Sequence, residues 1–183
     1  MIITKKDYGY PVWIVENVFE SGLEDVILEQ SKDLPFVPME GKRTDKTGKR
    51  NWMNQYTGKE WSSFSEVCTY FDSKHMKEKF SEVCEKDFTN LGTRIELCKD
   101  AKGSWLHNHF DDKAKLFTLQ IYLTDTDTST SFMKKDTPAR KNSGWFFANT
   151  GTELHGLSAL TQNRISIIVN YCDETWRDRS VIV

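Results

Sequence analysis

At 183 residues the chain has the length of one ordinary domain, enough to bury a core of its own. Hydrophobic residues make up 38% and charged residues 28%, which excludes the disordered class, and no apolar run approaches the roughly 20 residues that cross a bilayer. Lys and Arg number 25 against 27 Asp and Glu, a net charge of -2, so no global positive field exists to hold nucleic acid, and no membrane partner is expected.

The opening MIITKKDYGY lacks the apolar stretch of a secretory signal, so a cytoplasmic protein is expected. The four cysteines, Cys68, Cys84, Cys98 and Cys172, form no CxxC pair. They read as reduced, mostly buried thiols, neither a zinc knuckle nor a disulfide framework.

In chain order, residues 10–19 (YPVWIVENVF) are aromatic and β-branched and predict a strand. Ser21 with Glu24 three positions on is a helix start, and Leu23, Val26, Ile27 and Leu34 recur at helical spacing until Pro35 ends the pattern. Residues 36–60 read as a loop with Gly41, Gly48 and Gly58, five basic residues from Lys42 to Arg50, and the aromatics Trp52 and Tyr56. The segment 38–61 is expected to be a mobile lid whose basic cluster, Lys42, Arg43, Lys49 and Arg50 among it, selects a negatively charged substrate. Residues 61–88 place Phe64, Val67, Cys68, Phe71, Met76, Phe80, Val83 and Cys84 at spacings of three and four, which predicts one or two amphipathic helices.

After Gly92 the period changes to two. Strand-like runs occupy 93–99, 104–110, 115–124, 144–149 and 164–172, separated by turn residues with no helical pattern long enough for parallel crossovers. The expected fold is therefore α+β and mainly β: a double-stranded β-helix, or jelly roll, with N-terminal helices packed on it. One domain spans 1–183, with the strand, helices and basic loop in 1–92 and the β core in 93–183.

The chemistry concentrates in the β half, which holds three of the four histidines, His107, His109 and His155. In LHNHFDD, His109 and Asp111 lie two apart, so an extended backbone projects both to one side, where they can share an ion. His155, in ELHGL after GWFFANT, is the candidate third ligand. Two histidines and a carboxylate form the facial triad of non-haem Fe(II) oxygenases. Arg164 opens RISIIVNYC nine residues after His155, sharing a face with Ser166, Ile168 and Asn170. Its planar fork suits the far carboxylate of a metal-chelating dicarboxylate. In KLFTLQIYLT, Thr118, Gln120 and Tyr122 share a polar face, which either meets water or lines a barrel mouth, making Thr118 and Tyr122 candidate hydroxyl donors to the same carboxylate.

The stretch from Arg94 to Cys172, about two-fifths of the chain, resembles the 2-oxoglutarate/Fe(II) oxygenase superfamily, particularly its prolyl-hydroxylase-type branch. GSWLHNHFDD carries HxD as His109 to Asp111, KLFTLQIYLT resembles the strand after it, GWFFANTGTELHGL carries the distal histidine at His155, and RISIIVNY carries the co-substrate arginine at Arg164. The resemblance implies Fe(II) on His109, Asp111 and His155, with 2-oxoglutarate and O2 as co-substrates. It also implies hydroxylation of a C–H bond in a peptide side chain or small molecule, with release of succinate and CO2. Geometry alone leaves His107 as a rival to His109, and the resemblance selects His109. It supports Tyr122 and Thr118 as helpers of Arg164, while Ser166, in an RxS arrangement, is a competing one; the main partner stays open.

Two other readings stand beside it. A metal cupin, acting as an isomerase or simple dioxygenase, would use His107, His109, a nearby acid and His155, but Lys113 and Ala114 stand where its glutamate is expected. A metal-free jelly-roll module would bind a sugar or peptide through aromatics such as Trp105 and Trp145.

Overall fold

The computed structural model describes residues 1–20, 22–33, 37–38, 50–54 and 62–173, with backbone only for 33, 37–38, 51–54 and 62. The proposed lid therefore lies outside the described residues, apart from the backbone at 38 and 51–54 and the whole of Arg50.

Among the described residues the chain forms two antiparallel sheets and three α-helices. The larger sheet runs in the order β1 (Ile2–Asp7), β2 (Pro11–Glu16), β10 (Ser143–Ala148), β7 (Lys115–Tyr122), β12 (Arg164–Cys172), β5 (Gly92–Asp100), β4 (Arg50–Asn54), β3 (Val37–Pro38). The smaller runs β6 (Leu106–His109), β11 (His155–Leu157), β8 (Thr130–Phe132), β9 (Lys135–Asp136). The helices are α1 (Leu23–Gln30), α2 (Ser62–Asp72) and α3 (Lys74–Cys84).

The long period-two runs form strands as expected, and so does the first aromatic one. Three departures stand out. Residues 2–7 are a strand, because pairing with β2 supplies partners that their polar side chains do not advertise. Residues 50–54, read as loop, form β4 against β5. The short strands β8, β9 and β11 carry two or three residues each, too few for a period to register. Ser21, the expected cap of α1, lies outside the described residues; Gly22, at φ 96°, holds the N-cap position, a left-handed conformation that glycine adopts without strain. Ser73 separates the next two helices, its hydroxyl accepting from the Met76 N–H that opens α3.

The alternation of β7 and β12 decides what lies on each side of the larger sheet. One face presents Phe117, Leu119, Ile121, Ile167, Val169 and Tyr171 to the helices. Phe80 of α3 sits at the centre of that layer, fully buried, its ring 4.8 Å from Phe117 and 5.0 Å from Phe146. The other face carries Thr118, Gln120, Tyr122, Arg164, Ser166 and Asn170, all buried, under the smaller sheet. A second apolar cluster of Tyr8, Val12, Ile14, Phe132, Trp145 and Phe147 closes that side at one end.

Truncating Phe80 to Ala removes an aromatic anchor at the helix–sheet interface. It should cost about 3–5 kcal/mol, read as a lowered urea midpoint with an unchanged slope.

Candidate metal centre

His109 ends β6, His155 opens β11, and the two strands pair with these residues directly opposite. Their rings lie 4.4 Å apart between centroids. The approach is close enough that a Cβ on Gly156 would fall 2.4 Å from Asn108 Oδ1 and 3.0 Å from the Leu106 carbonyl, so a larger residue there would require Asn108 to swing away and the facing backbone to shift. Asp111 follows just past the end of β6. One ligand atom from each of His109, Asp111 and His155 falls within 4.8 Å of the others, with His109 Nε2 3.8 Å from Asp111 Oδ1.

Both imidazoles are held by backbone. His109 Nδ1 lies 2.9 Å from the His107 carbonyl, and His155 Nδ1 lies 2.8 Å from the Glu153 carbonyl. A carbonyl can only accept, so each Nδ1 carries the proton and each Nε2 keeps a bare lone pair. Burial pushes the His155 pKa down against the pull of Asp111 and the Glu153 carbonyl, keeping the ring in its neutral, ligating form. Glu153 is itself fixed, its Oε2 accepting from the backbone N–H groups of Thr150, Gly151 and Thr152.

Asp111 is 9% exposed. Burial alone would raise its pKa, but the Lys115 ammonium, with the hydroxyl of Thr118, holds it well below the usual carboxylate range. Lys115 Nζ donates to Oδ1 at 3.1 Å and Thr118 Oγ1 to Oδ2 at 2.7 Å. The donor set is thus two neutral imidazoles and a carboxylate kept ionised, matching the hard-to-borderline preference of a divalent first-row metal such as Fe(II).

These residues line one pocket together with Arg164, Arg50, Gln120 and Trp145. Arg164 is 1% exposed. Its Nε and Nη2 donate to Asp100 Oδ2 at 3.2 and 2.8 Å, and its Nη1 is buried without a hydrogen-bond partner among the described residues. A buried guanidinium N–H left unsatisfied is costly unless an acceptor arrives.

Comparison with solved structures places the chain beside a prolyl-4-hydroxylase from Pseudomonas putida, at TM-score 0.70 and 11% identity over 89% of this chain and 92% of that one. A Trichoplax adhaerens prolyl hydroxylase, solved in complex with a hypoxia inducible factor oxygen degradation domain peptide, matches at TM-score 0.66 and 14% identity over 92% and 86%. The fold is shared with these two prolyl hydroxylases. HygX from Streptomyces hygroscopicus, solved with nickel and 2-oxoglutarate, matches at TM-score 0.64 and 12% identity over 89% and 83%. No protein-family model and no curated protein matches the sequence.

On this fold the residues singled out from sequence are brought together, with two revisions of detail. His107, expected beside His109 on an ideal strand, is exposed and lines a separate groove with Asn108 and Ser131, because the β6–β11 pairing is irregular, three steps from Leu106 to His109 facing two from His155 to Leu157, which breaks the alternation between the two histidines. Thr118 lines the pocket, but its single hydroxyl proton goes to Asp111 while the oxygen accepts from Asn170 Nδ2. Tyr122 lies with its ring under the Arg164 guanidinium, 5.7 Å from centroid to Cζ, and its hydroxyl accepts from Trp145 Nε1 and donates to Thr130. Ser166 accepts from Gln120 Nε2. Asp100 and Lys115 were not foreseen at the site, and Arg50 was expected there only as a substrate-selecting residue of the lid. Lys115, four residues after Asp111, was the one within reach of sequence spacing.

Two outcomes follow for metal binding by the isolated protein, measured by calorimetry with Mn(II). Thr118→Val should lower affinity by about 10–100-fold by freeing Asp111 from its donor, whereas His107→Ala should leave it unchanged.

Proposed function

We propose that the protein is a 2-oxoglutarate- and Fe(II)-dependent oxygenase in which His109, Asp111 and His155 hold the metal and Arg164 receives the distal carboxylate of 2-oxoglutarate. One observation carries the reading: the same pocket is lined by three residues whose ligand atoms converge and by Arg164, whose buried guanidinium keeps an N–H group without a partner among the described residues. Bound together, Fe(II) and 2-oxoglutarate supply oxidative decarboxylation of the keto acid by O2, giving succinate, CO2 and one oxygen atom inserted into a substrate C–H bond.

The chain's own residues do the rest. The carbonyls of His107 and Glu153 aim the imidazoles, and Lys115 and Thr118 keep Asp111 ionised and turned into the pocket. Asp100 fixes the plane of the Arg164 fork, and Tyr122 supports it from beneath. Phe132, Trp145 and Phe147 surround His155 with rings at 5.5, 6.1 and 5.3 Å, an apolar wall that excludes water from the reacting region. On this reading Tyr122 and Ser166 act beneath and beside Arg164, and Thr118 acts on the metal's carboxylate.

The two sheets read as a double-stranded β-helix within one domain, to which the N-terminal half adds strands as well as helices. The primary substrate is proposed to be a peptide side chain or a small molecule; Phe110, between two ligands in sequence and more than half exposed, offers it an apolar contact. Four free cysteines support a reducing compartment such as the cytoplasm, and none of the described helices is long and apolar enough to cross a membrane. The cupin reading loses its extra ligand, since His107 lies in the other groove.

Anaerobic addition of Fe(II) and 2-oxoglutarate should give the weak visible charge-transfer band of a chelated keto acid. Arg164→Ala should weaken 2-oxoglutarate binding by roughly 10–150-fold, the worth of a charge-assisted contact, with Fe(II) binding nearly intact. Equal loss of both would refute the division of labour.

A further inference from the structure

Arg50, Asp100 and Arg164 stand directly opposite one another across β4, β5 and β12, so a cation, an anion and a cation form one row across three adjacent strands. All three are buried, at 9%, 1% and 1% exposure. Arg50 Nε donates to Asp100 Oδ1 at 2.6 Å and its Nη2 to Oδ2 at 3.1 Å, while Arg164 places Nε and Nη2 on Oδ2. The carboxylate therefore accepts four N–H groups, and Arg164, which lines the pocket, keeps Nη1 without a partner among the described residues.

The arrangement solves one problem and creates another. Asp100 orients the planar fork of Arg164, as a bidentate-type contact does. It also neutralises it: Arg164 and Asp100 alone sum to zero, and an arriving carboxylate would meet Asp100 immediately behind the guanidinium, at low dielectric where like charges repel strongly. Arg50 changes the sum to +1. We propose that Arg50 is a positioning residue for the co-substrate, carrying the charge of Asp100 so that Arg164 stays both oriented and electrostatically available to the distal carboxylate.

The proposal rests on the assignment of Arg164 to 2-oxoglutarate and adds a residue from the N-terminal half to that site. It gives Arg50 a role different from the substrate-selecting lid residue expected from the basic cluster. The site charge also predicts a sign pattern that a merely structural ion pair would not produce. The row sums to +1 in the native protein, zero in Arg50→Gln, +2 in Asp100→Asn and +1 again in the double variant.

The test measures 2-oxoglutarate binding anaerobically to Fe(II)-loaded protein by the charge-transfer band, and to Mn(II)-loaded protein by calorimetry. Arg50→Gln should bind 2-oxoglutarate about 10–100-fold more weakly at unchanged Mn(II) affinity, the loss of one charged partner in a buried site. Adding Asp100→Asn to it should restore most of the affinity. Asp100→Asn alone should bind more tightly than the native protein, an outcome that misfolding cannot imitate and that stands even if Arg50→Gln fails to fold. Native affinity in Arg50→Gln, a double variant as weak as Arg50→Gln, or an Asp100→Asn protein that binds no tighter than native would each overturn the proposal. Native protein that gives no 2-oxoglutarate binding at all would instead remove the oxygenase reading on which it rests.

Discussion

Everything at the site depends on the strict alternation of two neighbouring central strands, β7 and β12. From Ser166 opposite Tyr122 to Tyr171 opposite Phe117, each residue of one is paired with a residue of the other on the same face, so one register puts Phe117, Leu119, Ile121, Ile167, Val169 and Tyr171 under the helices and Thr118, Gln120, Ser166 and Asn170 on the opposite face, which Arg164 continues along β12. A slip of one residue would exchange the two sets. It would bury an arginine among phenylalanines, an outcome expensive enough to fix the register without help. The apolar face thus does more than stabilise the domain: it forces the polar face to be where it is.

That polar face is buried as well, which sets its chemistry. In water Asp100 beside two arginines and Asp111 beside a lysine would be weak surface pairs. Covered by the smaller sheet, they become strongly coupled: the Asp100 carboxyl, which burial alone would raise, is held down at about 2 by Arg50 and Arg164. Among the described residues the same few elements therefore set tautomer, ionisation and direction for the groups lining the pocket, and the smaller sheet contributes both histidine ligands.

Much of this was legible in the sequence, for a physical reason. Long alternating runs such as RISIIVNYC report a two-sided strand, and HxD, His155 and Arg164 keep their chain order through the fold. What the sequence concealed were features decided by distant partners. Residues 50–54 have no alternation of their own to advertise and become strand only by pairing with β5. Arg50 sits in a run of basic residues, which reads as a solvated surface; its burial depends on an aspartate fifty residues away. The polar face of β7 was visible, but that the Thr118 hydroxyl would reach Asp111 depends on where the chain turns after His109. His107 shows the same limit from the other side, since ideal-strand spacing put it with His109 and the irregular pairing of β6 with β11 separated them.

The histidine ligands are oriented by main-chain carbonyls two residues before them, at His107 and Glu153. A carbonyl belongs to every residue type, so no substitution at those two positions deletes the acceptor, provided the local backbone path is kept. The aim of both imidazoles is in this sense written in the shape of the chain and not in its side chains. Sequence around the centre is free to drift very far while the two lone pairs go on pointing at the same spot, and what such drift must preserve is the close crossing of β6 and β11 that Gly156 permits.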